Sequence, residues 1–80
     1  MVKKVIVYSA EWCPFCHKAM DYLQSKNIPF EVKDCDIPEN AQEAMKKSGQ
    51  TGIPVIDIDG QIVTGYNVKK INELLGISSV

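Results

Sequence analysis

Apolar and polar positions fall into short blocks along this chain, and the period changes from block to block. Val5-Ile6-Val7-Tyr8 is an unbroken run with β-branched and aromatic members. It is too short for a helix and predicts a strand buried on both faces. From Pro14 onward, Phe15, Ala19, Leu23 and Met20, Tyr22 keep helical spacing to about Lys26. Pro14 suits the first turn, where its missing N–H has no partner to lose; Asn27 is the stop, with Pro29 beyond it. Phe30-Glu31-Val32-Lys33 alternates, which predicts a strand with one wet face or at an edge. Asp36 is the expected cap of a second helix, with Pro38 early, Glu39 completing a capping box, Ala41, Ala44 and Met45 on one face and Gly49 at the end. Ile53-Pro54-Val55-Ile56-Asp57-Ile58 and Gln61-Ile62-Val63 flank Asp59-Gly60, a pair that favours a tight hairpin turn. Asn67 can cap a last helix on which Val68, Ile71, Leu74 and Leu75 share a side, with Gly76 as its stop.

The order is β-α-β-α-β-β-α, an α/β fold. A helix joins the first two strands, so they should be parallel with a right-handed crossover, and the last two form an antiparallel hairpin. A mixed four-stranded sheet with three flanking helices buries every apolar stripe in one domain over residues 1–80. No repeat, linker or low-complexity segment interrupts it. Composition narrows the class. Eighty residues leave no room for a second domain. An apolar fraction of 45 % with a net charge of −1 does not fit a disordered chain. No apolar run approaches the roughly 18 residues of a membrane helix. Near-zero charge and the absence of Arg argue against a nucleic-acid surface. Lys3 and Lys4 precede an apolar run that ends at Tyr8 and Ser9, shorter than the roughly 7–15 residues of a signal core. The expected location is therefore the cytoplasm, where a close Cys pair is catalytic or metal-binding rather than a permanent staple.

Cys13 and Cys16 stand three apart across the first turn of the first predicted helix. A thiol attacks as the thiolate, and the free N–H groups and dipole at a helix N-terminus favour an anion. Cys13 should sit exposed at the cap or first position, with Cys16 half a turn deeper. That arrangement suits a nucleophile that attacks a substrate disulfide and a second thiol that resolves the mixed disulfide. Three other readings compete: a zinc site from Cys13, Cys16, His17 and Cys35; a c-type haem, since Cys13-Pro14-Phe15-Cys16-His17 matches the attachment pattern; and an inert buried pair. Pro54 either simply opens the third strand or forms a cis bond that sets the backbone of Ile53 beside the thiols, where it can pair with an extended peptide or glutathione.

Tyr8-Ser9-x-x-Trp12-Cys13-Pro14-Phe15-Cys16, then Thr51-Gly52-Ile53-Pro54, then Asp59-Gly60 and Gly65, resembles a glutaredoxin over essentially the whole chain. The resemblance implies a thioredoxin fold whose four strands, counted in chain order, lie 2-1-3-4 across the sheet. It implies disulfide reduction with Cys13 as nucleophile, Cys16 as resolving thiol and Pro54 as the cis-proline. It places the substrate or glutathione site at Trp12, Pro14, Phe15, Thr51, Ile53, Pro54, Gly65, Tyr66 and Asn67. Two single positions and one loop depart from the family pattern. Ala10 stands where a Lys is usual, Phe15 where a Tyr is usual, and Thr64-Gly65-Tyr66-Asn67-Val68 replaces the Gly-Gly-Cys-Asp-Asp that holds the γ-glutamyl end of glutathione. Gly65-Tyr66 instead looks like glutaredoxin-like redoxins that take electrons from thioredoxin reductase, among them the redoxin serving ribonucleotide reductase and clostridial-type proteins that reduce peroxiredoxins.

The expectation is a monomeric cytoplasmic protein-disulfide reductase with no bound cofactor and no metal. Its partners are disulfide-bearing proteins of the peroxiredoxin or ribonucleotide reductase type, with thioredoxin reductase or glutathione as donor and neither nucleic acid nor membrane as ligand. The alternatives are a glutathione-dependent, deglutathionylating glutaredoxin and a zinc- or iron–sulfur-carrying module. Trp12 reads as either a partner contact or packing, His17 as a solvated side chain or a pH-tuning group, and Cys35 as a buried small residue or an oxidisable third thiol. Lys46-Lys47 and Lys69-Lys70 read as solvated helix faces.

Overall fold

A computed structural model describes residues 4–50 and 52–76. Its elements are β1 (Val5–Ser9), α1 (Pro14–Ser25), β2 (Glu31–Asp34), α2 (Pro38–Ser48), β3 (Val55–Ile58), β4 (Gln61–Thr64) and α3 (Val68–Leu75). The sheet runs β2-β1-β3-β4. β1 pairs parallel to β2 and antiparallel to β3, and β3 pairs antiparallel to β4. This is the order and sense that the thioredoxin fold requires.

Period-2 alternation divides the strands between two faces. Val5 and Val7 of β1 pack with Ala19 and Leu23 of α1, Ile56 and Ile58 of β3, Val63 of β4 and Ile71 of α3. Ile6 and Tyr8 point to the other face and pack with Ala44 of α2 and Val55. Every residue of β1 and of β3 is buried, because helices cover both sides of these central strands. β2 lies at the edge and is mostly exposed; its Val32 keeps 49 % of its surface.

Local chemistry ends the elements. Asn27 takes positive φ, the Asn27 N–H bonds Gln24 O and the Ile28 N–H bonds Leu23 O, which closes α1 in a Schellman-type turn. Gly49 and Gly76, both left-handed, close α2 and α3. Asp59 and Gly60 both have positive φ, the conformation a tight hairpin turn needs, and Gly60 N–H bonds Asp57 Oδ1 at 2.7 Å.

One cap differs from the expectation. Asp36 does not cap α2, and the capping box with Glu39 does not form: the N-cap is Ile37, which makes no side-chain cap bond. Pro38 occupies N1 and holds the preceding Ile37 in the extended region, so the helix starts one residue later than Asp36 can serve. Strand bounds shift by a residue or two as well: β2 starts at Glu31, and β3 starts at Val55, after Pro54.

Candidate active site

The C-terminal end of β1 leads through Ala10–Trp12 into α1, and Cys13 is the N-cap of that helix. Pro14 follows at N1. The Cys13 N–H bonds Ala10 O at 3.1 Å, which turns the chain from strand to helix. Cys13 Sγ then accepts the Cys16 N–H at 3.3 Å, the bond a Ser or Asp oxygen makes at an ordinary N-cap. One of the first-turn N–H groups that lack an intrahelical partner, that of Cys16, is therefore aimed at this sulfur.

Cys13 does not stand exposed as expected. It retains 5 % of its surface and Cys16 none, because Ala10, Met20 and Ile53 pack around the pair. The difference still ranks the two thiols: of the pair, only Cys13 presents any surface to a reactant. No disulfide joins the described cysteines. Burial pushes the Cys16 thiol from its usual 9.0 up to about 12, the neighbouring Cys13 adds to this through a hydrogen bond and its charge, and the Ala10 backbone opposes it.

This shift sets a pH dependence. A proton held more tightly in the folded than in the unfolded chain stabilises the fold below the ordinary thiol pKa, and that contribution is lost as pH rises from 9 toward about 12. Reduced protein should thus lose up to about 1.4 kcal/mol per pH unit from this group across that window. Lys47 and Tyr8 are also raised and act in the same direction. The Cys16 share is the difference between reduced wild type and Cys16→Ser, measured by urea unfolding from about pH 8 to pH 11. Equal slopes would remove the assignment.

Ile53-Pro54 is a cis peptide, as the functional reading of Pro54 anticipated. Ile53 packs against the thiol cluster. Gly65, with φ +75°, donates its N–H to Pro54 O at 2.8 Å and so ties the loop after β4 to the proline. Asn67 caps α3, its Oδ1 accepting the Lys70 N–H at 3.1 Å. Tyr66 is exposed and borders an open hollow with Lys18, Asp21, Tyr22 and Ser25, none of which belongs to the thiol cluster. Phe15 is exposed, with Lys18 Nζ 5.4 Å from its ring centre. Thr51 lies outside the described residues.

Trp12 is 69 % exposed, and its indole N–H bonds Asp36 Oδ1 at 3.1 Å. Together with Cys35, Ala44, Met45 and Ile53 it lines an apolar hollow of about 150 Å³ beside the thiols. His17 is exposed but engaged: its Nε2 lies 2.6 Å from Glu11 O, bridging the turn before Cys13. The His17 ring is thereby turned to a backbone carbonyl, and among the described residues no three His, Cys, Asp or Glu side chains gather as a metal-binding group. No helix among the described residues is long and apolar enough to cross a membrane.

Sequence reasoning missed two features. Lys47 is not a solvated face: its Nζ bonds Asp57 Oδ2 at 2.7 Å and Tyr8 Oη at 2.8 Å under the sheet. Lys33 and Tyr8 both donate to Glu43 Oε2, at 2.8 Å and 2.7 Å. No signal in the sequence separates Lys47 from Lys46. The place of Cys35 was readable: strand parity puts it on the same face as Lys33, which pairs with Tyr8.

A mixed β2-β1-β3-β4 sheet with a Cys-x-x-Cys pair at the N-terminus of α1, and a cis-proline preceded by the Ile53 that packs on the pair, defines the class of thioredoxin-fold thiol–disulfide oxidoreductases. The glutaredoxin family model matches residues 5–63, and the chain belongs to the glutaredoxin family. It is 43 % identical over 70 residues to an uncharacterised glutaredoxin-like 8.6 kDa protein from the rubredoxin operon of Clostridium pasteurianum, covering 86 % of this chain and 93 % of that one. It is 41 % identical over 64 residues to glutaredoxin 3 of Escherichia coli K12, covering 76 % and 75 %. Among solved structures, the glutaredoxin of Archaeoglobus fulgidus superposes with a TM-score of 0.81 at 28 % identity, covering 90 % of this chain and 85 % of that one. The glutaredoxin-like NrdH-redoxin of Escherichia coli, described as having a thioredoxin-like activity profile, superposes with a TM-score of 0.77 at 26 % identity, covering 89 % and 93 %.

Proposed function

We propose that this protein reduces protein disulfides by a dithiol cycle and is recharged by thioredoxin reductase in preference to glutathione. The observation that carries the cycle is the helix-capping sulfur of Cys13, which accepts the Cys16 N–H, above a fully buried Cys16. Cys13 thiolate attacks one sulfur of the substrate disulfide, forming Cys13–S–S–R and expelling the other sulfur as a thiolate. Cys16 then attacks Cys13 Sγ; its proton passes to the departing substrate sulfur, and the Cys13–Cys16 disulfide forms. Two electrons have moved to the substrate, and no bound cofactor is required. The proposed contact for an extended substrate backbone is the chain segment at Ile53, a reading supported by the packing of Ile53 against the thiol cluster.

The donor preference rests on what glutathione would meet. Ala10 is buried in the thiol cluster, so that place supplies no cation. The 64–68 loop carries no carboxylate, and Asn67 is occupied as a helix cap. Charge-assisted hydrogen bonds are each worth roughly 1.5–3 kcal/mol, so losing two or three weakens binding by several orders of magnitude. Likeness to the NrdH-redoxin, a glutaredoxin-like protein with a thioredoxin-like activity profile, supports the same choice. The substrates that follow are disulfide-bearing partners of the peroxiredoxin or ribonucleotide reductase type, in the reducing cytoplasm.

The test follows NADPH consumption by oxidised protein, with thioredoxin reductase in one reaction and with glutathione plus glutathione reductase in another. Turnover in the first should equal or exceed that in the second. Rapid turnover with glutathione alone would overturn the donor reading and favour a glutathione-dependent glutaredoxin.

A further inference from the structure

Cys35 belongs to neither the helix that carries the dithiol nor its loop; it packs against the neighbouring cluster of Ile6, Tyr8, Ala44 and Val55, and its backbone joins the same strand end that leads to the dithiol. Its backbone N–H bonds Ser9 O at 2.8 Å, while the Cys13 N–H bonds the next carbonyl, Ala10 O, at 3.1 Å. Both cysteines are therefore hung from two consecutive carbonyls at the C-terminal end of β1. The residues beside them are tied to each other as well, through the bond from the Trp12 indole to Asp36. Ile53 touches the Cys13–Cys16 cluster and also lines the hollow that Cys35 lines. Cys35 is only partly buried, whereas Cys16 is wholly so.

We infer that Cys35 is a second resolving thiol, able to attack the mixed disulfide on Cys13 from the hollow between Trp12, α2 and Ile53. This inference rests on the proposed role of Cys13 as the nucleophile. The step is a thiol–disulfide exchange: Cys35–SH and Cys13–S–S–R become Cys13–S–S–Cys35 and RSH. One S–S bond breaks, one forms, the Cys35 proton leaves with the released thiol, and no external oxidant enters. Burial raises the Cys35 thiol above its ordinary value, and the neighbouring Asp34 and Asp36 carboxylates and the charge of Cys13 add to this, so Cys35 keeps its proton until it is delivered to the released thiol. A consequence is that removing Cys16 alone does not make the protein a stable trap for its substrates.

The test uses oxidised glutathione as a defined disulfide. Cys16→Ser and the double variant Cys16→Ser/Cys35→Ala are reduced, exposed briefly to it, freed of excess and followed by intact mass. Far-UV circular dichroism confirms that both are folded, and Cys16→Ser/Cys35→Ser repeats the comparison with a different replacement. The glutathione adduct on Cys16→Ser should disappear at least roughly tenfold faster than on either double variant. Peptide mapping should find Cys13 joined to Cys35 in its place. An adduct that survives equally long with and without Cys35 would overturn the inference and leave the role of Cys13 standing. Failure of the double variants to carry an adduct on Cys13 would overturn the inference and the proposed nucleophile together.

Discussion

Cys13→Ser should eliminate disulfide reductase activity, lowering insulin reduction by at least roughly a thousandfold, while leaving the protein folded. Both halves of that expectation come from the same geometry. Cys13 Sγ accepts the Cys16 N–H as the N-cap of α1, and a serine hydroxyl is among the best groups for that position. The helix terminus therefore keeps its cap, and the loss is chemical. An alcohol at this place remains protonated and cannot displace a disulfide sulfur at neutral pH. Cys16→Ser should behave differently: it loses the Cys13–Cys16 cycle but still forms a mixed disulfide, because the attacking sulfur remains. Cys13→Ser that still reduced insulin at a wild-type rate would show that the attacking thiol lies elsewhere. Circular dichroism and the urea midpoint supply the folding control.

Lys47→Met should destabilise the protein by about 2 kcal/mol, whereas Lys46→Met, one residue away, should change stability by less than about 0.5 kcal/mol. Lys47 Nζ contacts the Asp57 carboxylate and the Tyr8 hydroxyl beneath the sheet. Removing the ammonium leaves Asp57 with one fewer partner, in a setting where its side chain keeps 12 % of its surface. Breaking a fully buried pair costs about 3–5 kcal/mol. The figure here is smaller because Lys47 retains 29 % of its side-chain surface and Asp57 still accepts the Gly60 N–H. For a chain of this size the loss corresponds to a melting temperature lower by roughly 10 °C. The rise of the Lys47 ammonium above the ordinary lysine range has the same origin: burial opposes the charge, but the bonds to Asp57 and Tyr8 outweigh it. If the two variants melted together, the pair would be a surface contact of no consequence.

The contrast between these lysines shows where sequence reading stops. On α2 the two positions are adjacent, chemically identical and both near the C-terminal end of an amphipathic helix. What distinguishes them is Asp57, ten residues further on and on a different element, together with Tyr8 on a third. The cap of α2 failed for a local reason: Asp36 has the right chemistry for an N-cap, but Pro38 shifts the helix start, and the Asp36 carboxylate takes the Trp12 indole instead. The expected exposure of Cys13 failed for a tertiary one, since Ile53 packs over it from a segment distant in the chain.

Much was nevertheless legible, because it depends on near neighbours in the chain. The seven elements and their order follow from apolar periods of two and 3.6 with Gly, Asn and Pro as punctuation, and short-range sterics and hydrogen bonding enforce these. The dithiol's place at a helix start follows from Pro14 and the three-residue spacing. By its own pattern, then, the chain determined an α/β fold with a paired thiol at a strand–helix junction. Only the tertiary structure decided what surrounds that junction. The cis Ile53-Pro54 peptide, the tie from Gly65 to Pro54 O, the burial that holds the Cys16 proton and the approach of Cys35 from the end of β2 all join segments distant in sequence. Such contacts exist only once the sheet has set β1 between β2 and β3, because burial and the low polarity that goes with it belong to the assembled faces and not to any one stretch of chain.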